Sequence, residues 1–186
     1  MPHEETPTLV PVDVDVFDPN RILATLDEHG VEYVLVGGLG ARAHGATRET
    51  SDIDVVPRST DANWERLAAA FRELGARLRV GGLSDEEARR LPVALDAATL
   101  RSFGSSTWMT DAGPVDVLNE MATTGGGHQG YEELVGRHVI AEIGGLTVRI
   151  AALDDIVASK EHAGRDKDRE ALPELRELQR LRLDDE

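Results

Sequence analysis

The segment VLVGGLGARAHGATRETSDIDVV, residues 34–56, ends an apolar run in a glycine pair and places two aspartates, Asp52 and Asp54, in the next apolar run. Residues two apart on a strand point to one face, about 7 Å apart at Cα. A half-buried strand therefore presents two carboxylates side by side. Asp116, in PVDVL, has the same apolar flanks. If its strand neighbours the first, three carboxylates converge. Like charges about 4 Å apart repel by roughly 4 kcal/mol at an effective dielectric near 20, so a cation is expected among them. An all-oxygen donor set on strand ends suits Mg²⁺ or Mn²⁺ better than zinc. Magnesium completes its shell with substrate phosphates, which makes a nucleoside triphosphate the expected co-substrate.

The surrounding residues strengthen this reading. A strand, Gly37 and Gly38, a short helix, and Ser51 just before the first aspartate are what a phosphate cradle requires: glycine lets the backbone approach oxyanions, and a helix start offers free N–H groups. The segment DVDVFD, residues 13–18, repeats the aspartate spacing without a glycine pair, in a polar terminal region, and reads as exposed.

The chain has 186 residues, 40% hydrophobic and 30% charged, which predicts an ordinary soluble domain with its own core. It contains no cysteine, which excludes disulfides and cysteine-bound zinc. No run approaches a membrane span and no basic-then-apolar leader opens the chain, so a cytoplasmic protein without membrane contact is expected. The formal net charge is −15. Setting aside Glu4, Glu5, Asp13, Asp15 and Asp18 at one end and Asp184, Asp185 and Glu186 at the other leaves 27 acids against 20 basic residues. An acidic body disfavours loose polyanion binding and favours cationic partners or a metal-neutralised site.

Pattern and turn signals predict a helix from an Asn20 cap to Glu28, and a strand in VEYVLV. They continue with a short helix in LGARAH, ended by Gly45, and a strand in IDVV, closed by Pro57. DANWERLAAAFRELG reads as an amphipathic helix capped by Asp61, with Trp64 in the core. Residues 76–104 suggest one strand near ARLRV and a short helix near DEEARRL. STWMTDAGPVDVLN reads as a hairpin and GGGHQG as a loop, and two strands flank Gly144 and Gly145. The tail is helical, with Pro173 expected in the first turn of a fresh helix, and Leu172, Leu175, Leu178 and Leu181 as a core stripe. His44 and His162 lack a partner at metal spacing and read as packing or surface residues. The expected architecture is one α/β (α+β) domain: a mixed-sheet core over about residues 20–150 and a helical segment over about 153–183.

These blocks together resemble the DNA polymerase beta-like nucleotidyltransferase superfamily, and within it the AbiEii-type enzymes, many of them toxins of type IV toxin–antitoxin systems. The resemblance runs from VLVGGLGARAHGATRETSDIDVV through GPVDVLN to LDDIVASKEHAGRDKDREAL, covers roughly residues 30–175, and leaves residues 76–104 unmatched. The pair Gly37–Gly38 departs from the superfamily's commoner Gly-Ser. The resemblance implies a nucleotidyltransferase fold and in-line transfer of a nucleoside monophosphate from an NTP to an acceptor hydroxyl. It makes a tRNA 3′ end the first expected acceptor, with a cognate antitoxin as partner. It implies that Asp52 and Asp54 bind two metal ions, and that Asp116 completes one and helps deprotonate the acceptor. Gly37, Gly38 and Ser51 would contact the triphosphate, Lys160 would meet its charge, and Lys167 and Asp168 would orient the nucleotide. Asp166 is a rival to Asp168, and Arg48 belongs to the stretch before the aspartate pair. A small cationic acceptor such as an aminoglycoside is the alternative substrate, and a partner-binding module without catalysis is the alternative class.

Overall fold

The structure is a computed structural model that describes residues 17–123 and 125–184. The segment DVDVFD lies outside these residues except for Phe17 and Asp18. The helix α1 (Pro19–Glu28) leads into β1 (Tyr33–Val36), α2 (Gly37–Ala43), β2 (Ile53–Pro57) and α3 (Asp61–Glu73). The middle of the chain supplies β3 (Arg77–Leu78), α4 (Asp85–Arg89) and α5 (Ala97–Ser102), then the hairpin β4 (Ser105–Thr110) and β5 (Gly113–Leu118). After β6 (Met121–Ala122), β7 (His128–Gln129) and α6 (Tyr131–Val135) comes a second hairpin, β8 (Val139–Ile143) and β9 (Leu146–Ile150). Two helices end the chain, α7 (Leu153–Ala163) and α8 (Asp166–Asp184).

Seven strands form one mixed sheet in the order β3-β4-β5-β2-β1-β9-β8. The pairs β2–β5 and β1–β9 are parallel and the rest antiparallel. Strand alternation divides the core in two. Ile53, Val55, Val115 and Val117 join Leu35 and Ile150 in one cluster with Leu23 and Leu26 of α1 and Trp64, Leu67 and Phe71 of α3. Val34, Val36 and Val56 face the other way, against Ile156 and Val157 of α7 and Leu172 and Leu175 of α8. By the same alternation, Asp54 and Asp116 lie on this second face.

Several local expectations shift. Asp18, not Asn20, caps α1, its carboxylate accepting from the Arg21 N–H at 3.0 Å, because Pro19 takes the first helical position. Thr60, not Asp61, caps α3 through the Asn63 N–H. Part of GGGHQG is not loop, since His128 and Gln129 pair with Ala122 and Met121. Pro173 sits inside a continuous α8, so the fresh start lies earlier, at Gly164, whose left-handed φ of 58° ends α7. Leu172 and Leu175 are buried and Leu178 packs against them, but Leu181 is 46% exposed because α8 outruns the sheet that it covers. His44 is buried, its ring bonded to the Ala151 carbonyl at 2.7 Å, whereas His162 is exposed.

Candidate active site

The register of three strands builds one wall of the site. Val36, the last residue of β1, pairs with Asp54, and Asp54 pairs in parallel with Asp116. In-register partners project to the same face, so the two carboxylates are neighbours across β2 and β5. Asp52 does not lie on the strand; it precedes β2, and its Oδ1 accepts from Thr50 Oγ1 at 2.8 Å. Gly37 makes the close approach to Asp54 possible. Its φ is +62°, and a Cβ there would stand 1.8 Å from Asp54 Oδ2. A Cβ at Gly38 would stand 2.5 Å from Thr50 Oγ1, so the glycine pair leaves room for both aspartates and their support.

The electrostatics register this crowding. The Asp54 carboxyl is pushed up to about 7, first by burial, then by the charges of Asp52 and Asp116, while Lys160 and Lys167 pull the other way. Burial also lifts Asp116 above the ordinary carboxylate range, against a hydrogen bond from Thr107 and with a push from Asp52. Asp116 Oδ1 is buried and has no hydrogen-bond partner among the described residues. Among those residues no three His, Asp or Glu side chains form a ready-made metal cage. Asp52, Asp54 and Asp116 are instead near enough for the first and third to raise the second through their charges.

The facing wall is cationic. Helix α7 carries Lys160 in its last turn, and the turn at Gly164 folds α8 back so that Asp168 meets it. Asp168 is fully buried. It accepts from Lys160 Nζ at 3.3 Å and from Arg165 Nε at 2.6 Å. Burial alone would raise this carboxyl, but the Arg165 bond and the Lys160 charge outweigh it and hold it below its usual range. Asp166, the rival acid, points outward with its side chain 96% exposed, 3.5 Å from Arg169.

A cavity of about 250 Å³ lies between the walls, lined by Gly37, Gly38, Arg48, Ser51, Asp52 and Asp54 on one side and Lys160, Lys167 and Asp168 on the other. Asp116, beside Asp54 on the next strand, is not among the residues that line it. Arg48 is turned partly away, its guanidinium paired with Glu170 of α8 at 2.7 Å. Sequence reasoning missed Arg165 and Thr50, which also line the cavity. Arg165 stands beside Asp166 in a run of alternating charges that reads as solvated surface, and its pairing with Asp168 was the available signal.

No protein-family model and no curated protein sequence matches the chain. Solved structures do. The lincomycin-bound lincosamide antibiotic adenylyltransferase LnuA superposes with a TM-score of 0.55 at 13% identity, covering 87% of this chain and 98% of that one. The complex of ANT(2'')-Ia with adenylyl-2''-tobramycin gives 0.53 at 18% identity, covering 88% and 91%. The solution structure of the antibiotic-resistance factor ANT(2'')-Ia gives 0.53 at 18%, covering 83% and 78%. At such low identity the likeness is one of architecture, and on that ground the chain has the nucleotidyltransferase fold.

Proposed function

We propose that the protein is a metal-dependent nucleotidyltransferase that moves a nucleoside monophosphate from an NTP to an acceptor hydroxyl. One observation carries the reading: Asp52 and Asp54, the latter in register with Asp116 on β5, face a cationic wall across one cavity. A triphosphate bound to divalent ions needs both, oxygen donors on the metal side and cations on the phosphate side. The donor chemistry fits Mg²⁺ or Mn²⁺, because the three carboxylates supply only oxygen and Asp116 Oδ1 has no hydrogen-bond partner among the described residues. Asp52, Asp54 and Asp116 would hold two such ions, which when bound would neutralise the carboxylates and polarise the α-phosphate.

The chain's own residues do the positioning. Thr50 fixes Asp52 and Thr107 fixes Asp116 by hydrogen bonds. Gly37, Gly38 and Ser51 leave the floor open to phosphate oxygens, and Lys160 meets charge developing on the leaving group. The acceptor oxygen bonds to the α-phosphorus as the bond to the β-phosphate oxygen breaks. Pyrophosphate departs with that electron pair, and the acceptor's proton would pass to a carboxylate of the cluster, the role that the family resemblance gives to Asp116.

Two acceptor classes compete. A tRNA 3′ end, with the protein acting as the toxin of a toxin–antitoxin pair, follows from the resemblance to AbiEii-type enzymes. The charge favours the other: 35 acids against 20 basic residues repel a polyanion and attract a small cationic acceptor such as an aminoglycoside. The likeness in fold to antibiotic nucleotidyltransferases supports the same choice. Incubation with Mg²⁺, each α-labelled NTP, and either bulk tRNA or an aminoglycoside panel separates them. Label on the drug supports the favoured reading, and label on tRNA supports the toxin. No transfer to either favours a partner-binding module, and transfer that survives Asp54→Ala overturns the assignment of the site.

A further inference from the structure

The Asp168 cluster holds more positive charge than its own neutralisation requires. One fully buried carboxylate is shared by Lys160 and Arg165, and Lys167 has no ion-pair partner among the described residues. Two cations therefore share one buried acid, and Lys160, Lys167 and Arg165 also face the Asp54 and Asp116 carboxylates, in a chain whose formal net charge is −15. The shape of the Arg165 contact matters as much as its charge. Its Nε donates to Asp168 Oδ2 at 2.6 Å and its Nη2 reaches Oδ1 at 3.5 Å, so one edge of the guanidinium is occupied. A guanidinium has five N–H donors in a rigid fork. The edge formed by Nη1 and the second Nη2 proton has no partner among the described residues, the side chain is 63% exposed, and it lines the cavity. Lysine, a point charge, cannot hold a buried carboxylate with one edge and offer a second fork to another anion.

We propose that Arg165 is a second phosphate-binding residue of this cavity, its free guanidinium edge gripping the outer phosphates of the triphosphate and the departing pyrophosphate while Asp168 holds its other edge. This rests on the nucleotidyl-transfer reading and extends it to a residue outside the predicted set. Asp168 then acts as a positioning residue: it fixes Lys160 and Arg165 on one anchor and touches no substrate itself. Arg165 does its work as the bond between the α-phosphorus and the bridging oxygen breaks, because the electron pair of that bond leaves on pyrophosphate.

Inorganic pyrophosphate with Mg²⁺ is the probe, its binding measured by calorimetry on the full chain. Arg165→Ala is expected to weaken binding about tenfold or more, the range for losing a charged fork from an anion. Because Ala also strips a partner from buried Asp168, Arg165→Lys is the deciding variant. It keeps a charge against Asp168, so the melting temperature should stay near wild type while pyrophosphate affinity still falls. Arg169→Ala, one turn along and paired with exposed Asp166, should leave affinity unchanged. Wild-type affinity in both Arg165 variants, with binding lost in Lys160→Ala, overturns the proposal and leaves the nucleotidyl-transfer reading standing. Failure of the wild-type protein to bind pyrophosphate overturns both.

Discussion

Replacing Asp54 by Asn should make the metal-free protein more stable at neutral and alkaline pH while abolishing transfer. Folding lifts this carboxyl from 3.8 to about 7, mainly by burying it beside Asp52 and Asp116. Between those values the folded chain holds a proton that the unfolded chain has released. The carboxyl's contribution to stability is therefore intact below about 3.8 and declines as pH climbs to about 7. The ionised form carries a penalty of at most about 4 kcal/mol, which solvent screening of a half-buried group brings to about 2 kcal/mol. For a chain of this size that corresponds to about 4–8 °C in melting temperature. Thermal unfolding with a chelator across pH 4–9 should show wild type and Asp54→Asn nearly superposed at pH 4 and separating toward pH 8, the variant higher. Adding Mg²⁺ at pH 8 should stabilise wild type and not the variant. Equal melting temperatures at pH 8, or equal stabilisation of both by Mg²⁺, would refute the reasoning that uncompensated charge at this position is what a cation relieves.

Two further substitutions probe how the site is supported. Gly37→Ala would put a Cβ 1.8 Å from Asp54 Oδ2 on backbone with φ +62°, so transfer should be lost and stability should drop by about 2 kcal/mol or more, as read by steady-state turnover and denaturant unfolding. Thr50→Val removes the 2.8 Å bond to Asp52 at nearly constant volume, and should reduce the apparent affinity for Mg²⁺ in activity titrations by about tenfold while changing the melting temperature little.

The carboxylate wall was legible because strand alternation is a strict rule: once two apolar runs carry aspartates at matching positions, only the pairing of β2 with β5 remains open, and the register supplies it. The order of the sheet was not legible, because β5 joins β2 across an intervening stretch of three helices and two strands, and no local signal encodes that crossover. The cationic wall was half legible. Lys160 and Lys167 stood out in a recognisable block, but the choice between Asp166 and Asp168 depended on which one the turn at Gly164 would bury. Arg165 was missed although its partner Asp168 lies three residues on, because only the fold-back that buries Asp168 against Lys160 turns that local pair toward the cavity. The misplaced caps at Asn20 and Asp61 each fell short by a residue or two, because neighbouring polar residues compete for one role and Pro19 decides the first case.

The account stands on the three aspartates gathering divalent ions beside a bound nucleotide. Crystals grown with Mn²⁺ and a non-hydrolysable NTP analogue, recorded at the manganese edge, test this most directly. Anomalous peaks about 2.0–2.3 Å from carboxylate oxygens of Asp52, Asp54 and Asp116, with the analogue's phosphates against Lys160, are the predicted result. Manganese elsewhere, or an analogue that binds with no ion on Asp54, would contradict it.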